Sequence, residues 1–325
     1  MQTKAVYTAP WPKGQCQEPP PGLRGGIFFP KCVVIAAQKY CSNIIAQRLV
    51  TTTLEKVEEH RTKLFQNPQF SQVEIETPDG VPISTAFSQG SVRKVILFIP
   101  GLNDCYEMLD DEKQVPARFF NLFRELLGDI SIMVLNRRGL NRNSAMPTVK
   151  GLALDVYSAA RYLIDKKEFT LKDLLIWGHS FGGMYGAHGA TLLQKEFPQE
   201  EVSIVADRSF LSLTKLVEEH LNSRLKGKIA ELFIRFAQWD MKSHDDFTAL
   251  KGKKIIIYTQ ADETVPYAAS IHKLIKELDI KEMMSFEMDK EEPSDWHHIR
   301  QFTTREKEAL SKILRSCLHM ENAVV

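Results

Sequence analysis

The stretch Gly178-His179-Ser180-Phe181-Gly182 sets a serine between two glycines, directly after the apolar run LLIW at 174–177 and ahead of a further glycine, Gly183. A serine so placed can attack a carbonyl carbon if a base takes its proton, an acid orients the base, and N–H donors meet the oxyanion. The glycines have a mechanical purpose. A strand-to-helix turn this sharp forces the serine into a strained backbone conformation, and side chains two residues to either side would collide. The hydroxyl then stands proud of the strand at a helix N-terminus, whose dipole and free N–H groups favour negative charge. The G-x-S-x-G pattern also arises by chance; its position at a strand–helix junction is what points to chemistry.

For a chain order of serine, acid, histidine, both partners follow residue 180. YTQADETVP at 258–266 puts Asp262 just past an apolar strand, with Glu263 beside it as a rival, while Asp207 at the end of the preceding strand is a second possible acid. Four histidines lie beyond Asp262: His272 falls in a helical pattern and His319 in the C-terminal tail, leaving His297 and His298 in the polar loop EEPSDWHHIRQF at 291–302. Adjacent side chains point in different directions, so only one can serve as base. Spacing alone does not choose, and His298 is placed ahead of His297. The oxyanion donors are the N–H of Phe181 and one from the loop PGLNDCYE at 100–107, with Leu102 first and Asn103 next. His179 and His188 read as structural. Arg137 and Arg138 are able to hold an anion, but arginines in such a turn more often pair with loop carbonyls and carboxylates.

The elements that must position these residues are legible as an alternation. Short apolar strands at 94–100, 130–136, 174–177, 202–207, 254–259 and 283–289 alternate with helical patterns at 115–127, 152–165, 183–195, 266–278 and 304–317. Continuous apolar strands separated by helices predict an α/β fold whose mostly parallel central sheet is covered by helices on both faces. SQVEIETPDGVPISTAFSQ at 71–89 predicts a hairpin turning at Asp79-Gly80. The alternation breaks between residues 208 and 250, where an apolar helical face runs from Phe210 to Trp239; two or so inserted helices there would sit as a lid over the carboxyl ends of the strands. An apolar face of this kind is more often core than substrate groove. The expected divisions are a flexible Pro/Gly-rich arm over 1–26, an N-terminal helical segment over 27–66, a core of 67–207 and 251–320, and the helical lid over 208–250.

Composition narrows the class. Forty-two basic residues against 41 acidic ones give a net charge of +1, with no like-charge block to favour nucleic acid. Five scattered cysteines, never in a C-x-x-C pair, argue against a disulfide framework or a zinc site and for a reducing compartment. The proline-rich first 25 residues lack the apolar stretch of a secretion leader, and the run IFFPKCVVIAA from Ile27 is far shorter than a bilayer span. A soluble, cytoplasmic protein is expected, or one delivered to a host cell without a cleavable signal. The 31–64 helical pattern is expected to pack on the main domain; the other reading is an interfacial helix carrying Lys31, Lys39 and Arg48, which would make a peripheral membrane contact.

Taken together, the chain from about Ser71 to Cys317 resembles the α/β-hydrolase superfamily. The likeness rests on IPGLND in the oxyanion-loop position, LNRRGLNRNS after the next strand, GHSFGG as the elbow, ADETVP as the acid loop and DWHHI as the histidine loop. It implies a cofactor-free and metal-free serine hydrolase and favours Asp262 as the acid. A narrower likeness, to uncharacterised hydrolases of intracellular bacteria, is suggested by VADRSFLSL and the long N-terminal arm. The oxyanion loop begins Pro-Gly where many members have His-Gly, which removes a side chain and keeps the turn. The expected function is cleavage of a small-molecule carboxylic ester or thioester, with a lipid-like acyl group as a further inclination. The alternatives are a non-catalytic effector or binding protein on this scaffold, a serine peptidase, or carbon–carbon bond cleavage.

Overall fold

The computed structural model describes residues 6–12, 54–140, 143, 145–221, 224–237, 239, 243–275 and 282–320. The interfacial reading of Lys31, Lys39 and Arg48 lies outside the described residues.

Among the described residues, nine strands form one sheet: β1 (Tyr7–Thr8), β2 (Ser71–Glu76), β3 (Pro82–Ser88), β4 (Val92–Ile99), β5 (Ile130–Leu135), β6 (Leu174–His179), β7 (Ser203–Asp207), β8 (Lys254–Tyr258) and β9 (Met283–Glu287). Their spatial order is β1-β2-β3-β5-β4-β6-β7-β8-β9. The β2–β3 hairpin is antiparallel and β3 runs antiparallel to β5; every other pairing is parallel. From β4 the chain steps outward to β5 and then crosses back to β6 on the other side. This switch of direction opens a crevice at the carboxyl ends of β4 and β6, where sheets of this kind bind ligands.

Each central strand is apolar on both faces because helices cover both. Along β4, Val95, Leu97 and Ile99 join the core under α3 (Val149–Lys167) and α4 (Phe181–Glu196), while Ile96 and Phe98 join the core under α2 (Val115–Leu127) and α9 (Thr304–Cys317). The period-2 alternation sends neighbouring residues to opposite layers. α1 (Leu54–Gln66) docks on the second layer through Leu64, which is fully buried. Among the described residues no helix is long and apolar enough to cross a membrane.

Three findings differ from the sequence reading. Part of the expected arm is docked: β1 pairs with β2, the Tyr7 hydroxyl donates to Asp165 at 2.5 Å, and its ring meets Tyr162 edge-on. Partly burying an aromatic ring and pairing an edge strand help offset the ordering entropy of this segment. The helical pattern at 266–278 begins as a 3₁₀ turn at Tyr267–Ala269, followed by the short α8 (Ile271–Ile275). Among the described residues, the stretch between β7 and β8 holds three helices, α5 (Leu213–Leu221), α6 (Arg224–Phe236) and α7 (Ser243–Ala249), of which α7 packs on α4.

The Asp79-Gly80 turn is tied to the rest of the molecule by Arg138, which donates to Asp79 at 2.6 and 3.0 Å and, through Nε and its backbone N–H, to Asp155 at 2.8 Å each. Asp155 is fully buried. Asp155→Ala would strand a buried guanidinium with one partly exposed carboxylate, so a loss of about 3–5 kcal/mol is expected in urea unfolding.

Candidate active site

Ser180 stands at the N-cap of α4 with φ 53° and ψ −123°, a conformation that costs a non-glycine residue about 1–3 kcal/mol. Two bonds over-determine it: its N–H donates to Asp207 O at 2.8 Å, and its carbonyl accepts from Gly183 at 3.1 Å. The turn leaves no room for neighbours. A Cβ on Gly178 would stand 2.4 Å from Gly182 O, and one on Gly182 would stand 2.2 Å from Ile99 O.

Ser180 Oγ lies 2.9 Å from His298 Nε2, and His298 Nδ1 lies 3.0 and 2.9 Å from the two oxygens of Asp262. Asp262 follows β8, and its Oδ1 accepts the backbone N–H groups of Thr264 and Val265 at 2.9 and 2.7 Å, which fixes the plane of the carboxylate. With Nδ1 donating to Asp262, Nε2 carries the lone pair that faces the serine hydroxyl. His298 sits on a 3₁₀ turn, His297–Ile299, whose N-terminal end is held by Glu263: its carboxylate accepts from the N–H of His297 at 3.1 Å and of His298 at 3.2 Å. Glu263 thus holds the loop's backbone and Asp262 the imidazole. His297 makes no hydrogen bond to Ser180 or Asp262 among the described residues.

The loop after β4 closes the other side. A Cβ on Gly101 would lie 3.5 Å from Ser180 Cβ, so this loop runs directly against the serine. Phe181, the first residue of α4, has an N–H with no acceptor inside the helix by position. Arg137, buried after β5, donates to Leu102 O at 3.3 Å and to Arg138 O at 3.0 Å, and its guanidinium stands over the Phe181 ring at 5.9 Å. It therefore touches both residues proposed from sequence as donors. Arg137 and Arg138 are thus occupied by carbonyls and carboxylates.

Asp104 in the same loop is a charge that motif reading passed over. Its Oδ2 would stand 3.1 Å from a Cβ on Gly101. Burial pushes its carboxyl up to about 6, against weaker opposing pulls from His298 and the Gly101 backbone. A raised acid favours folding fully only below its ordinary value of 3.8, and the benefit is lost as pH rises through about 6. Above that, the charged form costs about 1–2 kcal/mol once its partial solvent contact is allowed for. Asp104→Asn is expected to melt a few degrees higher than the wild type near about pH 8 and to match it below about pH 4, as read by thermal unfolding.

Beneath the imidazole lies a buried layer. The His179 ring packs 5.1 Å from that of His298, and its Nδ1 makes a long contact of 3.4 Å with Asp207. Burial pushes His179 down to about 4, so it is neutral near pH 7. Burial alone would raise the Asp207 carboxyl; the Arg208 guanidinium, bonded at 2.8 and 2.9 Å, outweighs it and holds the group below the usual carboxylate range. Asp207 is therefore committed to Arg208 and His179, not to His298. Among the described residues, no three or more His, Cys, Asp or Glu side chains are grouped to hold a metal ion.

Comparison with known proteins places this architecture. Residues 26–315 match the family described as Chlamydia CHLPS protein (DUF818). No curated protein matches the chain. Among solved structures, an α/β hydrolase from Vibrio vulnificus superposes with a TM-score of 0.65 at 16% identity, over 90% of this chain and 95% of that one. An esterase from Pyrococcus furiosus gives 0.55 at 14% identity, over 77% and 90%. The α/β hydrolase GrgF from Penicillium sp. sh18 gives 0.53 at 14%, over 78% and 99%. Identities this low speak for the fold alone. The chain belongs to the Chlamydia CHLPS protein (DUF818) family and has the α/β-hydrolase fold.

Proposed function

We propose that the protein is a serine hydrolase acting on a carboxylic ester or thioester. The observation that carries this reading is the hydrogen-bonded chain from Ser180 through His298 to Asp262, set on a strained turn at a helix N-terminus. Ser180 Oγ attacks the acyl carbon while His298 Nε2 takes its proton; the N–H groups of Phe181 and Leu102 receive the oxyanion. Collapse breaks the bond to the alcohol or thiol, which leaves with that proton, and the acyl group stays on Ser180. Water then attacks, His298 takes its proton, and the acid departs as Oγ recovers a hydrogen. No cofactor is needed in any step. Fluorophosphonate labelling, followed by a panel of p-nitrophenyl esters and thioesters of increasing acyl length against peptide amides, tests it. Ester turnover with no amide cleavage supports the reading; a folded wild type that neither labels nor turns over any ester sinks it.

Residues 208–250 act as the cap over this site. Phe210 stands beside Phe181 with ring centroids 6.3 Å apart, and His220 at the end of α5 meets Thr264 O, in the acid loop, at 2.8 Å. On α6, Leu225, Ile229 and Leu232 recur at i, i+4 and i+7 and are 72, 63 and 70% exposed, while Ile234, and Ala237 just past the helix, are buried. Exposed Lys226 and Lys228 adjoin this ridge. A helix so patterned suits the surface of an anionic bilayer, with its lysines reaching the headgroups. Co-sedimentation with vesicles of phosphatidylcholine and phosphatidylglycerol is expected, and Leu225→Glu with Leu232→Glu should abolish it. Equal pelleting of wild type and double variant would count against the contact.

A further inference from the structure

The loop that presents His298 is gripped from two sides. Glu263 accepts the N–H groups at its start, as described. From below, Arg208 Nη1 donates to Arg300 O at 2.9 Å and reaches His297 O at 3.5 Å, so one guanidinium meets the carbonyls on both sides of the base. The other prongs of the same group, Nε and Nη2, are fixed on Asp207, and the rings of Phe119 and Phe302 flank it at 5.8 and 5.3 Å. Asp207 in turn accepts the N–H of Ser180 through its carbonyl. Arg208 is almost wholly buried and adopts φ 47°, a left-handed conformation that a glycine would hold more cheaply. Its N–H donates to Ile257 O at 2.7 Å, locking that turn to β8. The reversal directs the side chain back beneath the histidine loop.

We propose that Arg208 is the positioning residue of the hydrolytic site: through Asp207 it is anchored to the backbone that carries Ser180, and through the carbonyls of His297 and Arg300 it sets the height of the loop that carries His298. The inference rests on the serine hydrolase reading and adds a part to it. Lysine cannot replace this fork, since a point charge does not span a carboxylate and two carbonyls at once. A cavity of about 210 Å³ opens beside the guanidinium, lined by Phe119, Arg208, Ile299, Arg300 and Phe302 among others. Ser180, His298 and Asp262 do not line it, so a small cation has room to enter without meeting the substrate.

The experiment compares wild type, Arg208→Ala and Arg208→Lys with a short p-nitrophenyl ester, with and without low millimolar guanidinium chloride. Displacing a base by about 1 Å costs on the order of 10²-fold in rate, so kcat of Arg208→Ala is expected to fall about that far, with KM held within about threefold. Guanidinium is expected to restore about tenfold to Arg208→Ala and nothing to wild type. Should Arg208→Ala fail to fold, a folded Arg208→Lys is expected to lose at least about tenfold in kcat. A wild-type kcat in either folded variant, or a kcat loss that guanidinium leaves untouched in Arg208→Ala, overturns the inference. The wild type's own labelling keeps the two questions apart: if it labels at Ser180 and Arg208→Ala labels at the same rate, only the role of Arg208 fails.

Discussion

Ser180→Ala is expected to remove fluorophosphonate labelling entirely and to lower kcat for any ester the wild type hydrolyses by about 10⁴-fold or more. Without Oγ there is no atom to form the acyl-enzyme, and what remains is the oxyanion pocket and binding, which together leave a small residual rate. A factor of 10⁴ corresponds to about 5.5 kcal/mol of barrier. The substitution removes one oxygen from a position whose backbone is held by Asp207 O and Gly183 N, so stability should stay close to that of the wild type. The measurement is steady-state kinetics beside a thermal melt. An alanine variant that melts normally and keeps its turnover would place the chemistry elsewhere in the molecule.

The two adjacent histidines are expected to separate by orders of magnitude. His298→Ala removes the group between Ser180 Oγ and Asp262, each at hydrogen-bond distance, and should lower kcat by about 10⁴-fold, as loss of the base costs nearly as much as loss of the nucleophile. His297→Ala keeps the backbone N–H that donates to Glu263 and should leave kcat within a fewfold of the wild type. Asp262→Asn is expected to resemble His298→Ala because an amide in that place favours the wrong imidazole tautomer. Parallel kinetics on the three variants decide the assignment: equal losses in His297→Ala and His298→Ala would mean that the loop, and not one ring, carries the effect.

The sheet and its covering helices were legible because central strands buried on both faces must read as unbroken apolar runs, as in VILFI of β4 and IIIY of β8. Ser180 stood out for a related reason: the close approach of Gly178 to Gly182 leaves a spacing of glycines in the sequence. What escaped was everything decided by direction. His297 and His298 are one residue apart, and only the 3₁₀ turn determines which ring reaches Ser180. Asp207 stood as a rival acid because sequence shows that it ends a strand but not that the next residue folds back on it; the left-handed φ of Arg208 is the cause, and no glycine or asparagine flags it. Asp104 carried no signal either, since its interest lies in the burial that the Gly101 turn imposes. At the other end of the chain, proline content predicted an arm, but residues 6–12 lie on the sheet edge, held by the β1–β2 pairing, the Tyr7 bond to Asp165 and the packing of Trp11 against the core.

The order of the strands also has a consequence in time. Ser180 and His298 stand 118 residues apart, and the serine's turn is completed by β7 while its base comes only after β9. At ribosomal speeds of about 5–20 residues per second, the nascent chain carries the hydroxyl for roughly 6–24 s before the imidazole has been synthesised. On the serine hydrolase reading, the half-made protein carries Ser180 without His298 throughout that interval, so the proposed attack on acyl groups has to wait at least until residue 298 has been made.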